Sequence, residues 1–125
     1  MEDGIRQNYK EEEQARVLEE ALTLSLADAV FMIVHYNHHN RAMGPGPHCD
    51  PIALSVLHNR RDPSEIAEWA LKALKLRENA YSVGDALLCK DGTYDRLRVE
   101  LEAAHPGFSQ NTYDEAVRYG CFCAR

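Results

Sequence analysis

Apolar residues recur through the first third of the chain at Leu18, Leu22, Leu26, Ala29, Ile33 and Tyr36, at intervals of four, four, three, four and three. That spacing puts them on one face of an α-helix and predicts helix from Tyr9 to Met43. Unbroken from Lys10 to Arg41, the helix would be about 50 Å long at the standard rise per residue. A compact chain of this length is only about 36 Å across. The helix therefore either breaks or overhangs the domain. Thr23–Ser25 offers the break, because Ser25 and Asp28 stand at the spacing of an N-cap and its N3 partner. Without a break, the overhanging half needs another chain over its apolar stripe, which makes a homodimer the expectation.

The remaining pattern is a succession of shorter helices. Gly44-Pro45-Gly46-Pro47 stops the first segment, since proline lacks the amide donor and restricts the residue before it. Asp50-Pro51 predicts a short helix to about Asn59, with Asp as N-cap and Pro at the first helical position. Asp62-Pro63-Ser64-Glu65 repeats the device with a full capping box and predicts helix to about Glu78. Its apolar face is Ile66, Trp69, Ala70, Ala73 and Leu76. Ser82 and Asp85 suggest a separate start for a helix over Val83 to Lys90, ended by Asp91-Gly92. Leu97, Val99, Leu101 and Ala103 alternate like a strand, whereas Tyr94, Leu97, Leu101 and Ala104 form a helical stripe. Helix is preferred, because a lone hairpin would have no sheet to join. A last helix is predicted from about Thr112 to Ala124, packing through Tyr113, Ala116, Val117, Gly120, Cys121 and Ala124. The expectation is one all-α domain over residues 1–125, a compact bundle of five or six helices with a long N-terminal helix and with residues 1–8 disordered.

Composition narrows the partners. The chain has 125 residues, 45% of them hydrophobic and 27% charged, an ordinary balance for a single core. Its formal net charge of -6 argues against nucleic acid or an anionic membrane, both of which attract positive fields. The acidity concentrates in residues 1–20, where Glu2, Asp3, Glu11, Glu12, Glu13, Glu19 and Glu20 face only Arg6, Lys10 and Arg16. No basic-then-apolar leader opens the sequence, and Ala21 to Tyr36 is interrupted by Thr23, Ser25, Asp28 and His35. That stretch is also shorter than the roughly 20 residues a membrane span needs. These features predict a cytoplasmic protein in which Cys49, Cys89, Cys121 and Cys123 stay reduced and serve packing.

Candidate chemistry centres on the histidines. His35 and His39 are one turn apart, a separation that can chelate a metal ion, and His48 and Cys49 follow the Gly-Pro turn. The competing reading is that His and Asn near a helix C-terminus bond the last free carbonyls and complement the macrodipole. Cys49 beside His48 lacks an identifiable base geometry or oxyanion site for nucleophilic chemistry. The prolines of Gly44-Pro45-Gly46-Pro47 remove amides that a phosphate loop requires. A helix-turn-helix over residues 51–78 would bring Glu65 and Glu68 to phosphates, which is electrostatically wrong.

No constellation for catalysis assembles, and neither an enzyme nor a cofactor is expected. The chain reads as a small regulatory protein that binds another protein, as an inhibitor or anti-activator masking a transcription regulator or an enzyme. Its partner and dimer surface is expected at Leu18, Leu22, Leu26, Asp28, Met32, Ile33, His35 and Tyr36. The alternative is a metal-binding protein using His35, His39, His48 and Cys49.

Overall fold

The computed structural model describes residues 2–42 and 51–124, with side chains over 10–39 and 51–124. Among them are helices α1 (Glu2–Ala21), α2 (Leu26–Ala42), α3 (Pro63–Leu88), α4 (Tyr94–Ala104) and α5 (Gln110–Ala124), and one 3₁₀ turn, Leu54–Leu57; no strand occurs there. The all-α expectation holds. The long N-terminal helix does not: α1 ends at Ala21, and the longest helix is α3, with 26 residues. The chain divides into two compact units, Met1–Trp69 and Ala70–Arg125, so that the division falls inside α3.

In the first unit the break lies where Ser25 and Asp28 suggested it. The end of α1 tightens into three-residue bonds, with the Thr23 amide on the Glu20 carbonyl (3.0 Å) and the Leu24 amide on the Ala21 carbonyl (3.1 Å). The Thr23 hydroxyl also donates to Glu20 (2.7 Å), and the Arg60 guanidinium donates to the Leu24 carbonyl (2.6 Å). α2 then opens with the Ala29 amide on the Ser25 carbonyl (2.8 Å), while the Ser25 hydroxyl donates to the Asp28 carboxylate (2.9 Å). α1 packs on α2. α2 is the buried helix of this unit, with Ala27 through Phe31, Ile33 and Val34 all buried, so it is covered on most sides.

Residues 51–53 are not helical, contrary to the start expected at Pro51. The side-chain amide of Asn37 donates to the Ile52 carbonyl, and the Ile52 amide donates back to the Asn37 carbonyl oxygen, each at 2.9 Å. The Ile52 carbonyl, which a helix from Pro51 would pair with the Val56 amide, is thereby taken, and the Val56 amide bonds the Ala53 carbonyl instead (3.2 Å), in the 3₁₀ turn that follows Ala53. The proposed Asp50 cap lies outside the described residues.

In the second unit α4 packs on α5. α3 and α5 approach until their backbones touch at Ala80, Gly84 and Gly120. A methyl group on Gly84 would collide with the backbone of Gly120 and Cys121, its oxygen contact being 2.6 Å, and one on Gly120 would collide with the Ala80 carbonyl. Ala80 and Gly84, like Ala116 and Gly120, are one turn apart, so each helix carries a strip of small residues. The Arg77 guanidinium covers the Tyr119 ring beside this crossing (4.8 Å to the centroid). α3 therefore runs through the boundary expected at Ser82, and Gly84 is a packing residue inside the helix.

α4 and α5 start at hydroxyl caps. The Arg96 amide donates to the Thr93 hydroxyl oxygen (3.3 Å) and the Thr112 amide to that of Ser109 (3.4 Å), so that α5 begins at Gln110, two residues before the expected Thr112. Leu97, Leu101, Tyr113, Ala116 and Val117 are buried, which settles residues 94–104 as helix. Between the two helices, the Tyr113 hydroxyl donates to the His105 carbonyl (2.5 Å) and accepts from the Phe108 amide (3.3 Å).

Three outcomes follow from this packing. Gly84→Ala and Gly120→Ala should each destabilise by about 1–3 kcal/mol, because the added carbon meets backbone that can yield only by separating the helices. Helix propensity alone would give the opposite sign, about 1 kcal/mol of stabilisation, so urea unfolding separates the two effects. Ser25→Ala should cost about 1 kcal/mol in the same assay, because it removes the hydroxyl that donates to the buried Asp28 carboxylate.

The third outcome concerns His105. Burial, and secondly the charge of Lys75, lower its pKa from the ordinary value. The Asn79 amide against its Nε2 (2.6 Å) requires that nitrogen as an acceptor, which is the neutral ring. Below about pH 6.5 the unfolded chain therefore binds a proton that the folded one refuses. The stability advantage of the wild type over His105→Gln should be full above that pH and shrink on acidification below it. A pH-independent difference would contradict the assignment.

Candidate functional site

A helix that lies on the surface of its unit shows which of its faces lacks a neighbour. Of the described α1 side chains, 10–21, only Ala21 is buried. Glu11, Gln14, Ala15 and Leu18 follow at helical spacing and form one wall of an open cleft of about 330 Å³. The other wall is the extended segment and 3₁₀ turn, through Pro51, Ile52, Ala53 and Val56. The Asn37–Ile52 amide pair holds this second wall on α2, and the packing of α1 on α2 holds the first. Six of the eight lining residues are apolar.

Leu22, one turn beyond Leu18, continues the α1 stripe and is 48% exposed, and Val56 is 37% exposed. A helix places residues about 100° apart around its axis. Glu12 and Glu19, both exposed, flank the stripe of Glu11, Ala15, Leu18 and Leu22. Lys10 and Arg16 lie roughly 100° or more from its centre. The apolar stripe is thus edged by carboxylates on the side turned from α2.

The other expected surface residues are distributed differently. Leu26, Met32, His35 and Tyr36 are half-buried, whereas Ile33 is fully buried and Asp28 is 7% exposed with its carboxylate on Ser25. His35 stacks on Phe31 (5.5 Å between centroids) about two turns inside α2, and Asn37 bonds Ile52 instead of a helix-end carbonyl. His39 is exposed, and His48 and Cys49 lie outside the described residues. Among the described residues no three His, Cys, Asp or Glu side chains stand close enough to share a metal ion. Cys89 and Cys123 are exposed and Cys121 is half-buried, so these thiols are not core residues. Among the described residues no helix is long and apolar enough to cross a membrane.

The second unit carries a polar network whose geometry serves structure. Tyr94 donates to Asp114, Arg98 bridges Asp114 (3.1 Å) and Glu102 (3.9 Å), and Gln110 donates to Glu102. Burial, then the Asp114 hydrogen bond, raises the pKa of Tyr94 and keeps its phenol protonated. The Tyr119 phenol is raised likewise, first by its hydrogen bond with Cys123 and then by burial. These groups tie α4 to α5 and steady the end of α5.

The periodicity pointed to Leu18 and Leu22, but not to the wall opposite them. That wall depends on a side-chain amide pairing with backbone fifteen residues away, for which Asn37 alone is no signal. Compared with known proteins, the chain matches no protein-family model, no curated protein and no solved structure.

Proposed function

We propose that this is a small regulatory protein that acts by binding another protein, as an inhibitor or anti-activator that covers the working surface of a transcription regulator or an enzyme. One observation carries the reading. α1 buries a single described side chain, while α2 beside it is buried on most sides. Helices in proteins owe most of their stability to a packed apolar face, and the stripe of Leu18 and Leu22 is only partly covered within its own unit. A partner that completes the cover contributes about 25 cal/mol for each Å² of apolar surface removed from water. The acidic edge, in keeping with the net charge of -6, favours a protein partner over nucleic acid or an anionic membrane.

The homodimer expected from an unbroken helix loses its overhanging half, since Ala29 and Ile33 are buried in the chain's own fold. Leu22 remains the residue through which self-association would run.

A photo-cross-linking residue at Leu22 tests the proposal in extracts of the source cells. It should trap a distinct partner at one-to-one stoichiometry. The same group at Leu71, which is 61% exposed on α3, should trap none. Leu18→Asp/Leu22→Asp should release the partner without loss of helical circular dichroism. Equal trapping at both positions, or capture indifferent to the double substitution, would contradict the proposal. Light scattering near 14.2 kDa accompanies a partner of a different sequence, and twice that mass would mark a homodimer.

A further inference from the structure

We infer that the element this protein binds is a basic amphipathic segment, one that sets a large apolar side chain into the α1 cleft and places Lys or Arg on the carboxylates beside it. The inference rests on the protein-binding reading above and specifies the partner's chemistry. The cleft of about 330 Å³ lies at the lower limit of small-molecule pockets, and it is open. Glu11 and Gln14 line one edge, and the rest of the lining, Ala15, Leu18, Pro51, Ile52, Ala53 and Val56, is apolar. What they offer is a seat for one or two side chains from a neighbouring surface.

Charge selects the occupant. Glu12 and Glu19 are exposed on the outer flank of the stripe and are two turns apart, about 10 Å along the axis. The segment that matches them is a helix with basic residues seven apart and an apolar anchor between them, a form of helix-in-groove recognition. A second copy of this chain is the wrong match. Its residues 1–20 carry seven acids against three bases, so two α1 stripes placed together would oppose carboxylate to carboxylate. An acidic segment would cover the stripe but oppose its charges to Glu12 and Glu19, between which α1 itself places a single base, Arg16. The partner's basic residues also increase the encounter rate, and that contribution is lost as salt screens the charges.

The test uses the full chain and a labelled alanine-based helical peptide bearing leucines one turn apart, flanked by lysines at seven-residue spacing. Fluorescence anisotropy should show binding that weakens with salt. Replacing the leucines by serine, or the lysines by glutamate, should weaken it about ten-fold or more. Val56→Asp in the protein should weaken the leucine–lysine peptide about ten-fold, and Glu12→Lys/Glu19→Lys should weaken it and flatten its salt dependence. The inference is overturned if no peptide binds, if the glutamate or serine peptide binds equally, or if Val56→Asp changes nothing. It is also overturned if light scattering finds a dimer that Val56→Asp dissociates, because the occupant is then a second copy. If Leu22 traps a partner while the peptides fail, this inference falls and the protein-binding reading stands. If both fail, both fall.

Discussion

The first unit depends on the hydrogen bonds that end α1 and begin α2 within four residues. Neither glycine nor proline makes this break. The Thr23 hydroxyl and the Arg60 guanidinium take carbonyls at the end of α1, and Ser25 with Asp28 starts the next helix. The Arg60–Leu24 and Ser25–Asp28 bonds are part-buried, where a free polar group is costly, so they favour a turn at this point, and the exposed Thr23–Glu20 bond adds to them. Once it turns, α1 lies on α2, and the apolar pattern that would have run along one rod divides between two environments. Of the α2 share, Ala29 and Ile33 become core while Leu26 and Tyr36 are half-buried. Leu18 and Leu22 stay at the surface, Leu18 in the wall of the cleft and Leu22 exposed one turn beyond it.

The same hydrogen-bond logic explains which elements were legible in the sequence. Asp62-Pro63 marked the start of α3, and the stripe of Leu97 and Leu101 marked α4, because local capping and periodicity agreed with the final packing. The Asp50-Pro51 signal failed because Asn37 takes the Ile52 carbonyl and holds the segment on α2, a contact no local pattern announces. The Ser82–Asp85 signal failed for another reason. Ser82 and Asp85 stand at capping spacing, yet the missing side chain of Gly84 between them is what lets α3 and α5 touch. A spacing of four between Ala80 and Gly84, repeated by Ala116 and Gly120, was the available clue. Its meaning appears only when the two helices are seen together.

The candidate site divides in the same way. Leu18 and Leu22 follow from the apolar period, and the acidic edge follows from the clustering of Glu residues near the N-terminal end. Asp28 and Ile33, also expected in the partner surface, are buried inside the unit, because α2 has neighbours on more sides than a one-face pattern implies. The second wall comes from residues 51–56, which read as a helix of no special interest. Half of the cleft was therefore legible as a stripe, and its concavity was not.

Amide hydrogen exchange on the complex with the partner trapped at Leu22 tests the central claim most directly. The account predicts added protection in the later part of α1 and in residues 51–57, with little change in α4 and α5. Protection confined to residues 94–124, with α1 exchanging as in the free protein, would contradict it.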